Sequence, residues 1–336
     1  MEKLSICYAT DDNYIEYTAV SLYSLLENNY DLDIDFYILE YNVSERNKKL
    51  INEIIWNRKQ QVYWVDVSNE LKNIEALGGR AYRGYSTYAR IYIDRLLPQE
   101  VKKVLYIDGD TLIVSSIKKI IDFDLGEKIL AGVKDTVVPE YKEAIHFAVY
   151  DSYINAGVLY IDRDKWHEKD CEKLLQERLD EICSNSLMPD QDLINIVLKD
   201  EICYLPIEFN LYDTIYAFDY KYLKKIYRFS NDFYSEEEVD CGKNDAVIVH
   251  FTCGFLGRPW TDYCINPYKE LWEKNYCDLF NKTIKKEKFK QKTKNKIITW
   301  FYLHFNSILF SWIYRLIRSI TGKKVIRKYD GMWRNE

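Results

Sequence analysis

The chain has 336 residues, of which 47% are hydrophobic and 15% aromatic, so it can bury a sizeable core and wholesale disorder is excluded. Its net charge of −6 is unevenly spread, because residues 281–329 carry a local charge of +13 and leave −19 on the remainder. An acidic body with a basic tail argues against a nucleic-acid binder and suits a tail that touches an anionic surface.

The alternation of strand and helix patterns over the first 135 residues indicates an α/β fold with a mostly parallel sheet, whose ligands lie beyond the carboxyl ends of its strands. The expected strands there are KLSICYAT, DIDFYILEY, QQVYWVDV, KVLYIDGD and KILAGVKD. The expected helices are 17–27, a helix after the N-cap Ser44, and STYARIYIDRLL (86–97), which ends before Pro98.

The second half of the chain is less regular. It holds YINAGVLYIDRDKW, a helix over 169–183, PDQDLINIVL, and a late strand in AVIVHFTCGFLGRPW that runs into a Gly-rich loop. The eight cysteines form neither a CxxC pair nor a dense framework, and MEKLSICYATDD lacks the pattern of a signal segment. We therefore expect reduced thiols in a cytoplasmic protein.

Asp108 and Asp110 stand one residue apart in the apolar stretch VLYIDGDTLIV, residues 104–114. Carboxylates at the edge of a core repel each other and lose hydration, so they are costly unless something compensates. A divalent cation is the usual compensation, since it attracts hard oxygen ligands. A β-turn with solvated acids is the alternative interpretation of the same stretch.

Six motifs, in chain order, resemble glycosyltransferase family 8, the retaining GT-A enzymes related to bacterial lipopolysaccharide galactosyltransferases. They are YATDDNY, STYAR, KVLYIDGDTLI, NAGVLYI, PDQD and HFTCGFLGRPW, and the resemblance covers residues 1–275. It implies a GT-A fold, in which helices flank a nucleotide-binding sheet. It also implies transfer of galactose or glucose from UDP-galactose or UDP-glucose to a glycan or glycolipid acceptor.

The resemblance also implies a metal site and a donor site. Asp108 and Asp110 match the family's DxD pair and His250 its third ligand, together holding Mn²⁺, with Mg²⁺ as the alternative, against the UDP diphosphate. Gly109 would let the backbone approach the ribose or phosphate. The remaining donor contacts implied are Ala9, Asp11, Asn13 and Tyr14 for uridine, Arg90 for the sugar or pyrophosphate, Asp135, Asn155 and Ala156 around the hexose, and Gly254 and Arg258 in the late motif.

Asp190 and Gln191 are the implied catalytic residues. Asp190 would bind sugar hydroxyls and Gln191 would lie near the anomeric carbon. An amide is a poor nucleophile, so we expect front-face attack in which the UDP oxygen helps to deprotonate the acceptor. The alternative for PDQD is a helix N-terminus whose acids complement the dipole, and the alternative for ATDDNY is a helix cap.

The late motif departs from the family pattern. The family's His is usually followed by two residues, Gly, two residues and Lys-Pro-Trp, whereas here seven residues separate His250 from Arg258, and Arg replaces Lys. Arg can still pair with phosphate through its forked geometry. The match of Gly254 and Arg258 is therefore weaker than that of His250.

The C-terminal segment differs in character from the rest. We predict a catalytic domain over 1–280 and a basic, amphipathic, membrane-associating segment over 281–336. Apolar residues at 298, 301, 305, 308, 312, 316 and 320 recur at helical spacing. A helix lying on the anionic inner face of the plasma membrane is favoured, over a helix packed on the catalytic domain and over a single span.

Two other functions fit parts of the sequence. YIDGDTLIV also satisfies the DxDx(T/V) motif of haloacid-dehalogenase-like Mg²⁺-dependent phosphatases. That motif normally closes the first strand, and no downstream GDxxxD pair completes it here. A catalytically silent sugar-nucleotide-binding protein is the third possibility. Metal-dependent UDP release would separate the enzyme from the silent protein, and hydrolysis of a phosphomonoester would identify the phosphatase.

Overall fold

The computed structural model describes residues 3–76, 85–252, 254–287 and 293–329. The strands in these ranges are β1 (Leu4–Asp11), β2 (Ile34–Tyr41), β3 (Gln61–Asp66), β4 (Lys103–Ile107), β5 (Thr111–Ile113), β6 (Leu130–Lys134), β7 (Ile154–Asp162), β8 (Ile202–Tyr204), β9 (Leu211–Tyr212) and β10 (Ile248–His250). The helices there are α1 (Ile15–Asn28), α2 (Glu45–Trp56), α3 (Ser68–Ala76), α4 (Ile93–Leu96), α5 (Lys118–Ile121), α6 (Pro139–Ala144), α7 (Arg163–Glu168), α8 (Cys171–Asn185), α9 (Pro189–Val197), α10 (Asp213–Ala217), α11 (Tyr220–Tyr227), α12 (Glu236–Asn244), α13 (Lys269–Phe280), α14 (Thr293–His304) and α15 (Ser307–Tyr329).

The chain divides into two compact units. The first unit comprises Met1–Val133 and Ile154–Leu205, and the second unit comprises Lys134–Tyr153 and Pro206–Glu336. The first unit holds a seven-stranded sheet in the order β3-β2-β1-β4-β7-β6-β8. Strands β3, β2, β1 and β4 pair in parallel, β4 pairs with β7 antiparallel, and β6 pairs with β8 in parallel. The predicted α/β fold with a mostly parallel sheet is confirmed.

The central strands of this sheet read as continuous apolar runs because they are buried on both faces. Every residue of β7 except its last is buried, and four of the five residues of β4 are buried. Between Val104 and Ile107 no side chain is exposed by more than 1%. A polar group that follows directly on such a strand is therefore held by a rigid core.

One predicted helix was wrong. Residues 86–97 were expected to form a single helix, but Tyr85–Tyr92 is a 3₁₀ helix and only Ile93–Leu96 is α-helical. Buried guanidinium groups draw on the carbonyls of this segment: Arg90 Nε donates to Thr87 O, and Arg163 donates to the carbonyls of Asp94 and Leu97. Tertiary hydrogen bonds thus replace part of the regular helical pattern.

Ser44 occupies the predicted N-cap position of α2, but its side chain makes no capping hydrogen bond. Asp12 instead accepts hydrogen bonds from Ser44 N and from Asn47 Nδ2, each at 2.8 Å. The first turn of α2 is therefore tied to the loop after β1, where two of the predicted uridine contacts, Asn13 and Tyr14, lie.

The second unit contains the parallel pair β9–β10 and the helices α6 and α10 to α15. Its α6 segment is held by Lys142, whose buried ammonium donates to Val149 O, Asp151 O and the buried carboxylate of Asp232. A fully partnered charge of this kind fixes the segment, because either charge alone would be costly to bury.

The C-terminal helices belong to the second unit. Phe310 and Tyr314 of α15 pack on the ring of Phe218, at centroid distances of 5.5 and 5.4 Å, and Thr299 of α14 donates to Phe255 O. The apolar face predicted over 298–320 is divided, because α14 ends at His304 and Asn306 accepts a hydrogen bond from Leu309 N at the start of α15. Part of the lysine-rich stretch, 288–292, lies outside the described residues.

Among the described residues, none of the helices combines the length and the apolar character that crossing a bilayer requires. A large part of the apolar surface of α14 and α15 is nevertheless exposed. The side chains that contribute to it are Ile297, Trp300, Leu303, Ile308, Leu309, Trp312, Leu316 and Ile320.

Candidate functional site

Asp108 is the first residue after β4, so the core strand delivers its carboxylate to the carboxyl end of the sheet. Its backbone N–H donates to Gly157 O of β7 at 2.7 Å, and its carbonyl accepts a hydrogen bond from Thr111 Oγ1 at 2.9 Å. At Gly109 a Cβ atom would lie 2.2 Å from Thr18 Oγ1, so the close approach of α1 requires glycine there. The DGD turn is therefore fixed on both sides, and Asp110 in it is buried.

Arg90 links several of the predicted site residues. Its guanidinium is 2% exposed and donates to Asp108 Oδ1 at 2.7 Å, lies 3.4 Å from Asp190 Oδ2, and donates to Ala156 O. Burial disfavours its charge, but the neighbouring carboxylates, Asp108 first, outweigh burial and raise the pKa of Arg90 above its ordinary value. Arg90 thus stays charged and holds two carboxylates in one place.

Tyr106 supports this arrangement. Its hydroxyl donates to Asp108 Oδ1 at 2.9 Å, and its ring lies under the guanidinium of Arg90, 4.4 Å from centroid to carbon. Burial, together with the charge of Asp108, raises the pKa of Tyr106 well above the ordinary tyrosine value, although the charge of Arg90 opposes the shift. The hydroxyl therefore remains protonated and acts only as a donor to the carboxylate.

The NAG and PDQD motifs lie together in the first unit. Gln191 is buried in the first turn of α9, and its Oε1 accepts a hydrogen bond from Ala156 N at 3.1 Å. Asn155 Oδ1 accepts a hydrogen bond from Gly157 N at 3.0 Å. Asp190 also lies in the first turn of α9, where its charge complements the helix dipole, as the alternative interpretation of PDQD expects. It also contacts Arg90, which links it to Asp108.

The ATDDNY stretch covers the end of β1 and the turn that leads to α1. Asp11 Oδ1 accepts hydrogen bonds from Asn13 N at 2.9 Å and from Tyr14 N at 3.0 Å, so the same carboxylate that was predicted to contact uridine also orders the start of α1. Ala9 is half-buried on β1, and Asn13 is exposed. Tyr14 packs edge-on against Tyr17 at 5.3 Å.

The late motif lies in the second unit. His250 ends β10 and is buried, and its Nδ1 is 3.0 Å from Asn210 Oδ1. Gly254 N donates to Asp213 Oδ2 at 2.9 Å. Arg258 is half-buried; its Nε donates to Phe251 O at 3.0 Å and its guanidinium lies 5.4 Å from the ring of Trp260.

Asp135, the remaining predicted hexose contact, also belongs to the second unit. It is half-buried, and its backbone N–H donates to Tyr153 O at 2.7 Å. It lies four residues before α6, the helix in which Lys142 contacts Asp232.

The donor chemistry of three side chains fits a divalent metal ion: the carboxylates of Asp108 and Asp110 in the first unit, and the imidazole of His250 in the second unit. In the first unit the structure brings Arg90, Asp108, Ala156, Asp190 and Gln191 together.

Sequence reasoning missed Tyr106, Asn210 and Asp213, whose side chains contact predicted site residues. Tyr106 was within reach of prediction, because residues two apart on a strand face the same side and Tyr106 stands two before Asp108. Asn210 and Asp213 carry no comparable signal, since they lie in a short irregular stretch far from His250 in the chain.

A family model described as glycosyl transferase family 8 matches residues 5–264. A putative glycosyltransferase of Haemophilus influenzae is 28% identical over 265 residues, which cover 75% of this chain and 72% of that protein. A lipopolysaccharide 1,2-glucosyltransferase of Escherichia coli K12 is 24% identical, over 79% of this chain and 75% of that protein.

Among solved structures, the galactosyltransferase LgtC in complex with donor and acceptor sugar analogs is similar at a TM-score of 0.69. It is 27% identical in sequence, and the match covers 82% of this chain and 96% of that one. The GT-A fold implied by the sequence motifs is confirmed by this similarity, and the family match sets the phosphatase interpretation aside. The chain belongs to glycosyl transferase family 8 and is a glycosyltransferase.

Proposed function

We propose that the protein is a retaining, metal-dependent hexosyltransferase that moves galactose or glucose from UDP-galactose or UDP-glucose to a surface glycan or glycolipid, such as lipopolysaccharide or capsule. The observation that carries the proposal is the buried guanidinium of Arg90, which joins Asp108 of the DxD motif to Asp190 of the PDQD motif. Such a link would hold the residues that bind the diphosphate next to the residues that bind the hexose of the same donor. The comparison with enzymes of lipopolysaccharide synthesis supports the choice of acceptor class.

Asp108, Asp110 and His250 are the proposed ligands of the divalent ion, which we take to be Mn²⁺, with Mg²⁺ as the alternative. When bound, the ion would stabilise the negative charge that develops on the departing UDP. Arg90 and Tyr106 both donate to Oδ1 of Asp108 and so fix its rotamer. The guanidinium of Arg90 already donates to three protein oxygens and lies 3.4 Å from Asp190 Oδ2, so we assign it the holding of Asp108 and Asp190 rather than direct contact with the pyrophosphate.

The other proposed contacts keep the roles that the motifs imply. Uridine would lie against Ala9, Asp11, Asn13 and Tyr14. The diphosphate would approach Gly109, Gly254 and Arg258, and the hexose would contact Asp135, Asn155, Ala156 and Asp190.

Gln191 is proposed to lie on the hexose face opposite the leaving group. Its Oε1 accepts a hydrogen bond from Ala156 N, which orients the amide but does not make it a strong nucleophile. We therefore propose front-face attack, in which the acceptor hydroxyl passes its proton to the departing UDP oxygen. Mass spectrometry of the protein after incubation with donor alone checks this, because a glycosyl adduct on any side chain would contradict it.

The function is tested by incubating the purified protein with a panel of nucleotide sugars, with and without Mn²⁺, and measuring the free nucleotide released. We expect slow release of UDP from one UDP-hexose, dependent on Mn²⁺ and lost in Asp110→Asn. Asp31→Asn, an exposed carboxylate in the first unit, is the matched control and should behave as the unmodified protein does. Failure to bind UDP in the presence of Mn²⁺ would refute the proposal.

We also propose that the protein works at the inner, cytoplasmic face of the plasma membrane, held there by its C-terminal helices. Phe310 and Tyr314 of α15 are buried in the second unit, whereas Trp312 and Leu316 of the same helix are 57% and 63% exposed. The preceding lysine-rich stretch supplies positive charge for an anionic leaflet. No nucleic-acid partner is proposed.

Co-sedimentation with phosphatidylcholine vesicles, with and without about a third of anionic phosphatidylserine, tests this attachment. We expect binding that requires the anionic lipid and that is weakened in a Trp312→Ser, Leu316→Ser double variant. Trp56→Ser, at an exposed tryptophan on α2, is the control and should bind normally. Equal binding of the double variant and the unmodified protein would contradict the assignment of these residues.

A further inference from the structure

The short stretch FNLYD, residues 209–213, contains two polar side chains that are almost completely buried. Asn210 is 0% exposed and Asp213 is 3% exposed. Buried polar groups are retained at a cost, so their partners indicate what they are for. Each of these two residues has a partner some forty positions later in the chain, in the late motif.

Asn210 is a partner of His250. Its Oδ1 lies 3.0 Å from His250 Nδ1, and the residue stands directly before β9, whose Leu211 and Tyr212 pair in parallel with Val249 and His250. An amide oxygen can only accept, so this contact places the ring proton on Nδ1. Nε2 is then the nitrogen with a lone pair that a metal ion can take.

Asp213 is the partner of the loop that follows His250. Its Oδ2 accepts a hydrogen bond from Gly254 N at 2.9 Å, and its other oxygen accepts hydrogen bonds from Tyr216 Oη and Asn266 Nδ2. A Cβ atom at Gly254 would lie 3.2 Å from that same Oδ2, tighter than most contacts of this kind. The carboxylate therefore anchors the first part of the loop, and the glycine lets the backbone reach it.

We propose that Asn210 and Asp213 are positioning residues for the late motif. Asn210 sets the tautomer and the ring orientation of His250 for metal binding. Asp213 holds the backbone at Gly254, and with it the loop that leads to Arg258. This inference rests on the proposed metal-dependent function, but it concerns residues outside the six motifs.

The test of Asn210 measures the Mn²⁺ affinity of the purified protein by calorimetry, without nucleotide. Asn210→Leu keeps the volume but removes the acceptor, and we expect an affinity about 10- to 100-fold lower, the usual effect of losing such a partner. Asn210→Asp keeps an acceptor and should retain the affinity. Asn29→Leu, at a buried asparagine of the first unit, is the matched control and should bind Mn²⁺ normally.

The outcomes separate the two proposals. If Asn210→Leu is folded by circular dichroism and binds Mn²⁺ as the unmodified protein does, the role of Asn210 is refuted. If Asn210→Leu does not fold, loss of affinity in Asn210→Asp refutes that role, because it would show that an acceptor alone is insufficient. If His250→Ala binds Mn²⁺ as tightly as the unmodified protein, the metal assignment in the proposed function fails instead.

Asp213 is tested separately, because its effect should fall on the nucleotide. In Asp213→Ala we expect Mn²⁺ affinity to stay within about threefold, while UDP affinity at saturating Mn²⁺ falls about tenfold, the value of one lost hydrogen bond to a charged group. Equal losses of Mn²⁺ and UDP affinity, or none, would contradict the assignment of Asp213 to the loop.

Discussion

Replacing Arg90 by lysine keeps the positive charge but removes the forked geometry, so it tests whether the guanidinium organises the first unit. Arg90 donates to Asp108 Oδ1 at 2.7 Å, to Thr87 O at 2.8 Å and to Ala156 O, and lies 3.4 Å from Asp190. One ammonium group cannot reach acceptors spread around a planar fork. If two of these bonds are lost at about 1.5 kcal/mol each, the free energy of unfolding falls by about 3 kcal/mol.

Guanidinium-chloride unfolding followed by circular dichroism measures the change in unfolding free energy, provided that the slope of the transition is unchanged. UDP release from the preferred donor should fall in the same variant, since Asp108 and Asp190 are no longer held together. Arg95→Lys is the matched control, because Arg95 lies in the same segment with an ion pair to Glu172 and is 47% exposed. It should change stability by less than about 0.5 kcal/mol. A loss below about 1 kcal/mol in Arg90→Lys, together with full activity, would refute the reasoning.

Three further changes have defined outcomes. Asp232→Asn leaves Lys142 buried without its counter-charge. The free energy of unfolding, measured by thermal or chemical unfolding, should therefore fall by about 3 kcal/mol. Burial alone would raise the pKa of Asp232, but hydrogen bonds from Lys142 and a backbone N–H hold it below the ordinary 3.8. The difference in unfolding free energy between the unmodified protein and the variant should therefore be largest near neutral pH and shrink as pH falls through that lowered pKa. A difference that does not change with pH would contradict the ion pair. Gly257→Ala should destabilise the late loop, because Gly257 has φ +76° and a Cβ there would lie 2.2 Å from Tyr263 O. We expect the variant to bind UDP more weakly, as measured by titration. Unchanged binding would show that this loop does not contact the nucleotide. Gly109→Ala should lower both the melting temperature and Mn²⁺-dependent UDP release, since its methyl group would collide with a threonine hydroxyl of α1, whereas a melting temperature equal to that of the unmodified protein would contradict the packing argument.

The C-terminal helices show a limit of what the spacing of apolar residues can predict. Helical spacing of apolar residues predicted one amphipathic face, but Asn306 starts a second helix and divides that face. Phe310 is 2% exposed and Ile308, two positions away, is 58% exposed, so packing on the second unit and an exposed apolar surface occur in the same helix. Periodicity alone does not distinguish them, because both require apolar residues at the same spacing.

The sequence by itself determined the α/β fold, the parallel strands and the position of Asp108 and Asp110 at a strand end, because alternation and apolar runs are local signals. It also determined the family, through six motifs in order. Only the tertiary structure decided which side chains join these motifs. Arg90 meets Ala156 sixty-six positions away, and Asn210 meets His250 forty positions away. Contacts between such distant residues depend on how β4 pairs with β7 and how β9 pairs with β10. A hydrogen bond between two distant segments leaves no pattern in the sequence of either segment.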